Sequence, residues 1–178
     1  MAQHLMVDLE TLDTKTSATI LTLGAVRFDP FSDAPMKELY LRVDIDSQDP
    51  LGCTVSDDTL KWWNQQDTDI MAEAFDPRDR IPIHEVMNQF HALAWNCDAF
   101  WSHGATFDLM ILQHIYDKLE RAYPWNFWQM RDTRTLFDIG FDPEMPQGSK
   151  HNALEDAKRQ AIGVRNVYKK LGYSGRRG

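Results

Sequence analysis

The 178-residue sequence predicts an α/β fold built on a mixed sheet, and three observations carry that expectation. Apolar or alternating segments come first, separated by short links. Helical periodicities then take over, and a short apolar strand interrupts them. This order implies three antiparallel strands, then parallel ones, with helices on the flanks.

Residues 4–10 read as the first strand. Side chains at i and i+2 leave a strand on one face, so Asp8 and Glu10 point together while Val7 and Leu9 point the other way. Residues 19–29 (TILTLGAVRFD) are almost all apolar and read as a central strand. Residues 36–44 alternate, with Leu39, Leu41 and Val43 inward and Tyr40 and Arg42 outward. Residues 56–66 form a short helix carrying Leu60, Trp62 and Trp63. In 82–95, Ile83, Val86, Met87, Phe90 and Leu93 recur at spacings of three and four. Residues 97–102 make a short apolar strand that turns at His103, Gly104 and Ala105. Residues 106–119 form a helix capped by Thr106, with Leu112, Ile115 and Leu119 as its core stripe. The last helix has the cleanest period, in Leu154, Ala157, Ala161, Val164, Tyr168 and Leu171, and Asn152 with Glu155 resembles a capping box at its start. A single domain over 1–178 follows, with 171–178 as a flexible basic tail.

Composition narrows the class. A chain that is 43% hydrophobic and 26% charged suits a soluble globular protein. No apolar run approaches the roughly 20 residues of a membrane span, so no membrane partner is expected. No secretory signal is visible, and Cys53 and Cys97 lack the spacing of a disulfide framework or zinc site. A cytoplasmic location is the expectation. The net charge of −8 disfavours nucleic acid, yet residues 157–178 carry seven basic residues and no acid. That end is either a solvated helix face or a contact for a phosphate backbone.

Chemistry concentrates in three islands: 7–11 (VDLET), 102–108 (SHGATFD) and 151–156 (HNALED). Two like charges side by side are unfavourable unless a cation or proton lies between them. Oxygen ligands favour a hard divalent ion, magnesium or manganese. Asp108 stands four residues before Leu112, on the stripe that faces the core, where a lone acid would lose its hydration. The helix dipole favours a carboxylate there, but Thr106 is the better cap, which leaves Asp108 to be explained. His151 and Asp156 would lie roughly 140° apart on one helix, so His151 belongs to the loop ahead. The bland alternatives are a capping role for Asp108 and a structural role for His151. Together the five residues suit two-metal hydrolysis of a phosphodiester, the histidine taking the water proton. Trp62, Trp63, Phe107 and Trp128 could stack bases or belong to the core, and adjacent Trp62 and Trp63 cannot both face a cleft. Arg131 and Arg134 either hold phosphates or pair with Asp132 and Asp138.

With these islands the chain resembles the DEDD exonucleases of the histidine subtype. The resemblance rests on Asp8-Leu9-Glu10-Thr11, on Phe107-Asp108, and on His151 followed five residues later by Asp156. It implies a ribonuclease-H-like fold, with Asp8, Glu10, Asp108 and Asp156 as ligands of two Mg2+ or Mn2+ ions per site and His151 as base. It also implies stepwise 3′→5′ release of nucleoside monophosphates, with the strand end entering beside Asp8; Thr11, Phe107, Trp62, Trp63 and Arg131 are the candidate substrate contacts. One departure is His103-Gly104-Ala105, where many relatives have His-Asn-Ala. Segments 59–63 (TLKWW) and 127–135 (FWQMRDTRT) are further similar to DexA-type phage exonucleases and, in part, to small bacterial RNase-T-like exoribonucleases. The expected substrate is the 3′ end of single-stranded nucleic acid, DNA ahead of RNA. Trimming of RNA 3′ overhangs is the alternative, and a non-catalytic end-binding module is the rival class. Analogy with relatives leaves a homodimer open, and a phage origin would place the enzyme in the host cytoplasm.

Overall fold

The computed structural model describes residues 2–140, 143–148 and 151–175. At its centre, β1 (His4–Thr11) pairs antiparallel with β2 (Ile20–Phe28), which pairs antiparallel with β3 (Lys37–Val43). A two-residue β4 (Arg80–Ile81) adds a parallel edge beyond β3. On the other side, β5 (Ala99–Ser102) and β6 (Met130–Asp132) continue in parallel, giving the order β4-β3-β2-β1-β5-β6. The helices are α1 (Asp57–Trp63), α2 (Thr68–Ala74), α3 (Ile83–Ala94), α4 (Asp108–Lys118), α5 (Thr133–Gly140) and α6 (Ala153–Lys170). The antiparallel meander followed by parallel strands is the arrangement expected from the sequence. Among the described residues, no helix is long and apolar enough to cross a membrane.

Alternation along β1 divides the molecule into two layers. Leu5, Val7 and Leu9 are buried against Val86 and Phe90 of α3 and Leu109 and Leu112 of α4. Met6, on the opposite face, packs with Ala157, Ala161 and Val164 of α6. Asp8 and Glu10 continue that second face toward the end of the strand. Small residues bring α6 close, and it comes very near the sheet at Gly24, directly opposite Asp8. A Cβ on Gly24 would lie 2.1 Å from the carbonyl carbon of Ala153, so only glycine lets the first turn of α6 rest on β2. The Asn152 side chain caps that turn by accepting the Glu155 N–H at 3.1 Å. Glu155 turns its own carboxylate to Lys158, at 3.4 Å.

Several expectations need correction. Tyr40 and Arg42 do not face water: the Tyr40 hydroxyl donates to Glu73 of α2 at 2.7 Å, and Arg42 pairs with the same carboxylate at 2.7 Å. Thr106 does not cap α4; Phe107 occupies the cap position without a side-chain hydrogen bond, and Asp108 opens the helix. The elements α2, β4, β6 and α5 were not anticipated: each is short, and none carries the apolar run or pattern that marked α1 and β5. The basic end is largely consumed inside the fold. Lys158 pairs with Glu38 at 3.2 Å, Arg159 with Asp156 at 2.9 Å and Lys170 with Glu144 at 2.9 Å, while Arg165 donates to the carbonyls of Asp29 and Ala34. Tyr173 folds back onto Tyr168, ring to ring at 4.8 Å. Arg176 and Arg177 of the expected tail lie outside the described residues, as does Ser149 ahead of His151.

Candidate active site

The site forms where β1 outruns its parallel neighbour. β5 pairs with β1 only through His4, Leu5 and Met6. The Leu9 N–H, further along that edge, donates to Asp108 Oδ1 at 3.0 Å. This bond accounts for a carboxylate that is only 4% exposed: it satisfies a buried backbone donor and opens α4, where the dipole favours negative charge.

Opposite Asp108, the close seat of α6 brings Asp156 over the strand. One carboxylate oxygen from each of Asp8, Glu10 and Asp156 lies within 4.8 Å of the others. The α6 side chains hold this arrangement. Gln160 Nε2 donates to Asp8 Oδ1 at 3.0 Å, and Arg159 Nη1 donates to Asp156 Oδ1 at 2.9 Å. His151 lies in the turn just ahead of the helix in a left-handed backbone conformation, φ 60°. Its N–H donates to Asp156 Oδ2 at 2.9 Å, and its ring meets the Trp62 ring edge-to-face at 5.0 Å.

The electrostatics are those of acids forced together. Burial, then the charges of Asp108 and Glu10, push the Asp8 carboxyl well above its ordinary range. Burial, then Asp156 and Asp108, raise Glu10 to about 8. Burial raises Asp108 to about 7, against the opposing pull of the Leu9 N–H. The group cannot ionise fully near neutrality without a counter-cation. Oxygens shared by one small octahedral ion sit about 3–4 Å apart, so the all-oxygen set of Asp8, Glu10 and Asp156 fits a hard divalent ion with little closure. Asp108 stands outside that set, beside Asp8.

The acids floor a cleft of about 400 Å³, walled by His103, Phe107, Arg134, Met145 and His151. A second recess of about 470 Å³ adjoins it, sharing Leu9, Glu10 and Phe107 and reaching Thr11 and Trp62. Trp62, 40% exposed, offers this recess an accessible ring. Trp63 does not: it is 1% exposed, its indole N–H donates to the Thr11 carbonyl at 2.9 Å, and it backs the recess from the core. The Thr11 hydroxyl is likewise spent inward, on the Asp13 carbonyl at 2.8 Å. Arg131 and Trp128, two candidate substrate contacts, are not brought to this cleft. They line a different recess with His4 and Tyr173, at the far end of β1 from Asp8, and Arg131 Nη1 donates to the carbonyls of Trp128 and Met130. Arg134 faces the acidic cleft instead. Gln160 and Arg159 went unnoticed in the sequence, although their spacing of four and three from Asp156 put them on its helix face.

The family model described as 3′-5′ exoribonuclease Rv2179c-like domain matches residues 3–168. No curated protein matches the chain. Among solved structures, the chain is similar to exonuclease I from Methylocaldum szegediense, with a TM-score of 0.67 and 12% identity over 97% of this chain and 41% of that one. Against E. coli exonuclease I in complex with a dT13 oligonucleotide the TM-score is 0.63, with 13% identity over 97% of this chain and 42% of that one. Against the nuclease domain of 3′hExo, a DEDDh family member bound to rAMP, it is 0.54, with 18% identity over 98% of this chain and 94% of that one. The chain therefore spans about two fifths of the two exonuclease I chains and almost all of the 3′hExo domain. What they share with it is the fold, a ribonuclease-H-like mixed sheet flanked by helices.

Proposed function

We propose, from the premise that the chain belongs to the Rv2179c-like 3′-5′ exoribonuclease domain family, that it is a cation-dependent 3′→5′ exonuclease acting on single-stranded nucleic acid. The observation that carries this reading is the oxygen cluster of Asp8, Glu10 and Asp156 on one cleft with Asp108 and His151. Divalent cations bound there, two per site and either Mg2+ or Mn2+, would lower the pKa of the attacking water and stabilise the leaving oxygen. Asp8, Glu10 and Asp156 would hold these cations, with Asp108 in support beside Asp8. His151, on the loop beside Asp156, accepts the proton of the attacking water. The terminal nucleotide enters the recess between Phe107 and Trp62, where a base can stack without sequence preference. Leu9 and Glu10, common to both cavities, place the end of the strand beside the acids.

The family's description supports RNA as the first substrate to test, reversing the order expected from the sequence. DNA stays as the second reading, because the fold shared with exonuclease I includes a complex of that protein with dT13. The test is digestion of matched RNA and DNA oligomers, 5′-labelled, single-stranded or with 3′ overhangs, with Mg2+ or Mn2+. The expected result is a ladder descending from the 3′ end, with release of nucleoside monophosphates. Binding of every oligomer without shortening of any would instead establish the end-binding module.

A further inference from the structure

Arg134 lends its charge to the acidic cluster, where it opposes the upward shift of Asp108, but it is not held there by an ion pair. It occupies the wall of the cleft, yet among the described residues no carboxylate lies within 4.0 Å of its guanidinium. The cleft's other arginine, Arg159, is committed to Asp156 at 2.9 Å and to the Pro146 carbonyl at 2.7 Å. The position of Arg134 is built. Asp132 accepts the Ala105 N–H with one oxygen and the Arg134 N–H with the other, both at 2.9 Å, locking the turn after β5 against the start of α5. Gly104, in that turn, has φ +116°, and a Cβ there would lie 2.9 Å from Arg134 Nη1. The glycine that departs from His-Asn-Ala thus leaves room for the guanidinium, and any side chain would press on it.

The two cavities give the site an order. The Trp62 recess and the acidic cleft share Leu9, Glu10 and Phe107, whereas Arg134 and His103 line the cleft alone. A strand whose last nucleotide fills the recess, and whose scissile phosphate lies over the acids, can continue along the wall that Arg134 and His103 form. We infer that Arg134 is a positioning residue that binds the phosphate of the first uncleaved linkage, immediately 5′ of the scissile one. The inference rests on the exonuclease reading above and adds a residue that sets how the strand lies. A guanidinium with no carboxylate partner among the described residues is the group suited to that anion, since its fork of donors matches phosphate oxygens.

The test compares two oligomers that differ only at the first uncleaved linkage, one with a phosphodiester and one with a neutral methylphosphonate. KM and kcat are measured for both with wild type, Arg134→Ala and Arg134→Lys, and affinity is measured by anisotropy with Ca2+ replacing Mg2+. Arg134 is exposed, so the variants should fold. Wild type should bind the natural oligomer about tenfold or more tightly than the neutral one, the scale of a charge-assisted contact. Arg134→Ala should lose that preference, with KM rising about tenfold on the natural oligomer while kcat stays within a few-fold, and Arg134→Lys should fall between. Gly104→Ala should mimic Arg134→Ala by displacing the guanidinium. An Arg134→Ala enzyme that retains the wild-type preference for the charged linkage overturns the inference. A wild type that shortens neither oligomer overturns the nuclease reading, and the inference with it.

Discussion

Asp8 is the residue on which the opposing forces of the site meet: it is crowded by Asp108 and Glu10 and held by the Gln160 amide. An asparagine there resembles the protonated acid, so Asp8→Asn should abolish cleavage while making the cation-free protein more stable at pH 8, by about 1 kcal/mol or more. The gain should vanish near pH 4, where the wild-type carboxyl is already neutral. Urea melts in chelator at both pH values measure it, and a variant less stable than wild type at pH 8 would contradict the account. Gln160→Ala removes the amide that orients Asp8 and should weaken cation affinity about 10–100-fold, the usual cost of losing such a support; titration with Mn2+ checks this. At this scale the sequence was most legible where chemistry coincided with a period. Asp8 and Glu10 shared a strand face, and Asp108 violated an apolar stripe. It did not say which of Arg131 and Arg134 lines the acidic cleft, because that depends on β6 and α5, which span three and eight residues.

Among the elements, α6 decides whether the site exists, because Asp156, Arg159 and Gln160 all ride on it. Its seat on β2 depends on Gly24, where even a methyl group would overlap the Ala153 carbonyl. Gly24→Ala should therefore lift the first turn of α6, cost on the order of 1–3 kcal/mol as an overpacked contact, and weaken Mn2+ binding more than it weakens the fold. Thermal melts and Mn2+ titrations on the same variant separate the two effects, and unchanged cation affinity would show that α6 is placed by other contacts. The period of α6 and its Asn152 cap were plain in the sequence. The role of Gly24 was not, since a glycine in an apolar strand announces no partner until the helix that lies against it is known. Likewise Trp62 and Trp63 looked equivalent until α1 turned one toward the recess and the other into the core.

For the whole molecule, the consequence is a fold that carries its own destabilising charge. Glu10, titrating near 8, and Asp108, near 7, keep their protons in the folded state at pH values where the unfolded chain has lost them. Raised carboxyl pKa values favour the folded state below about pH 4 and withdraw that support as pH climbs toward 8. A cation that binds only the folded, deprotonated cluster reverses the trend by mass action. The architecture that brings the acids together was readable from the order of long strands and helices; the cost of pairing Asp8 with Glu10 was readable from their shared strand face, and the share of Asp108 only once it was seen beside Asp8. The most direct measurement is the melting temperature from pH 5 to pH 8.5, in chelator and then with Mn2+. In chelator it should decline as pH rises, and Mn2+ should restore it, with a larger increment at pH 8 than at pH 5. A melting temperature that Mn2+ leaves unchanged at every pH would contradict the claim that these carboxylates form a cation site.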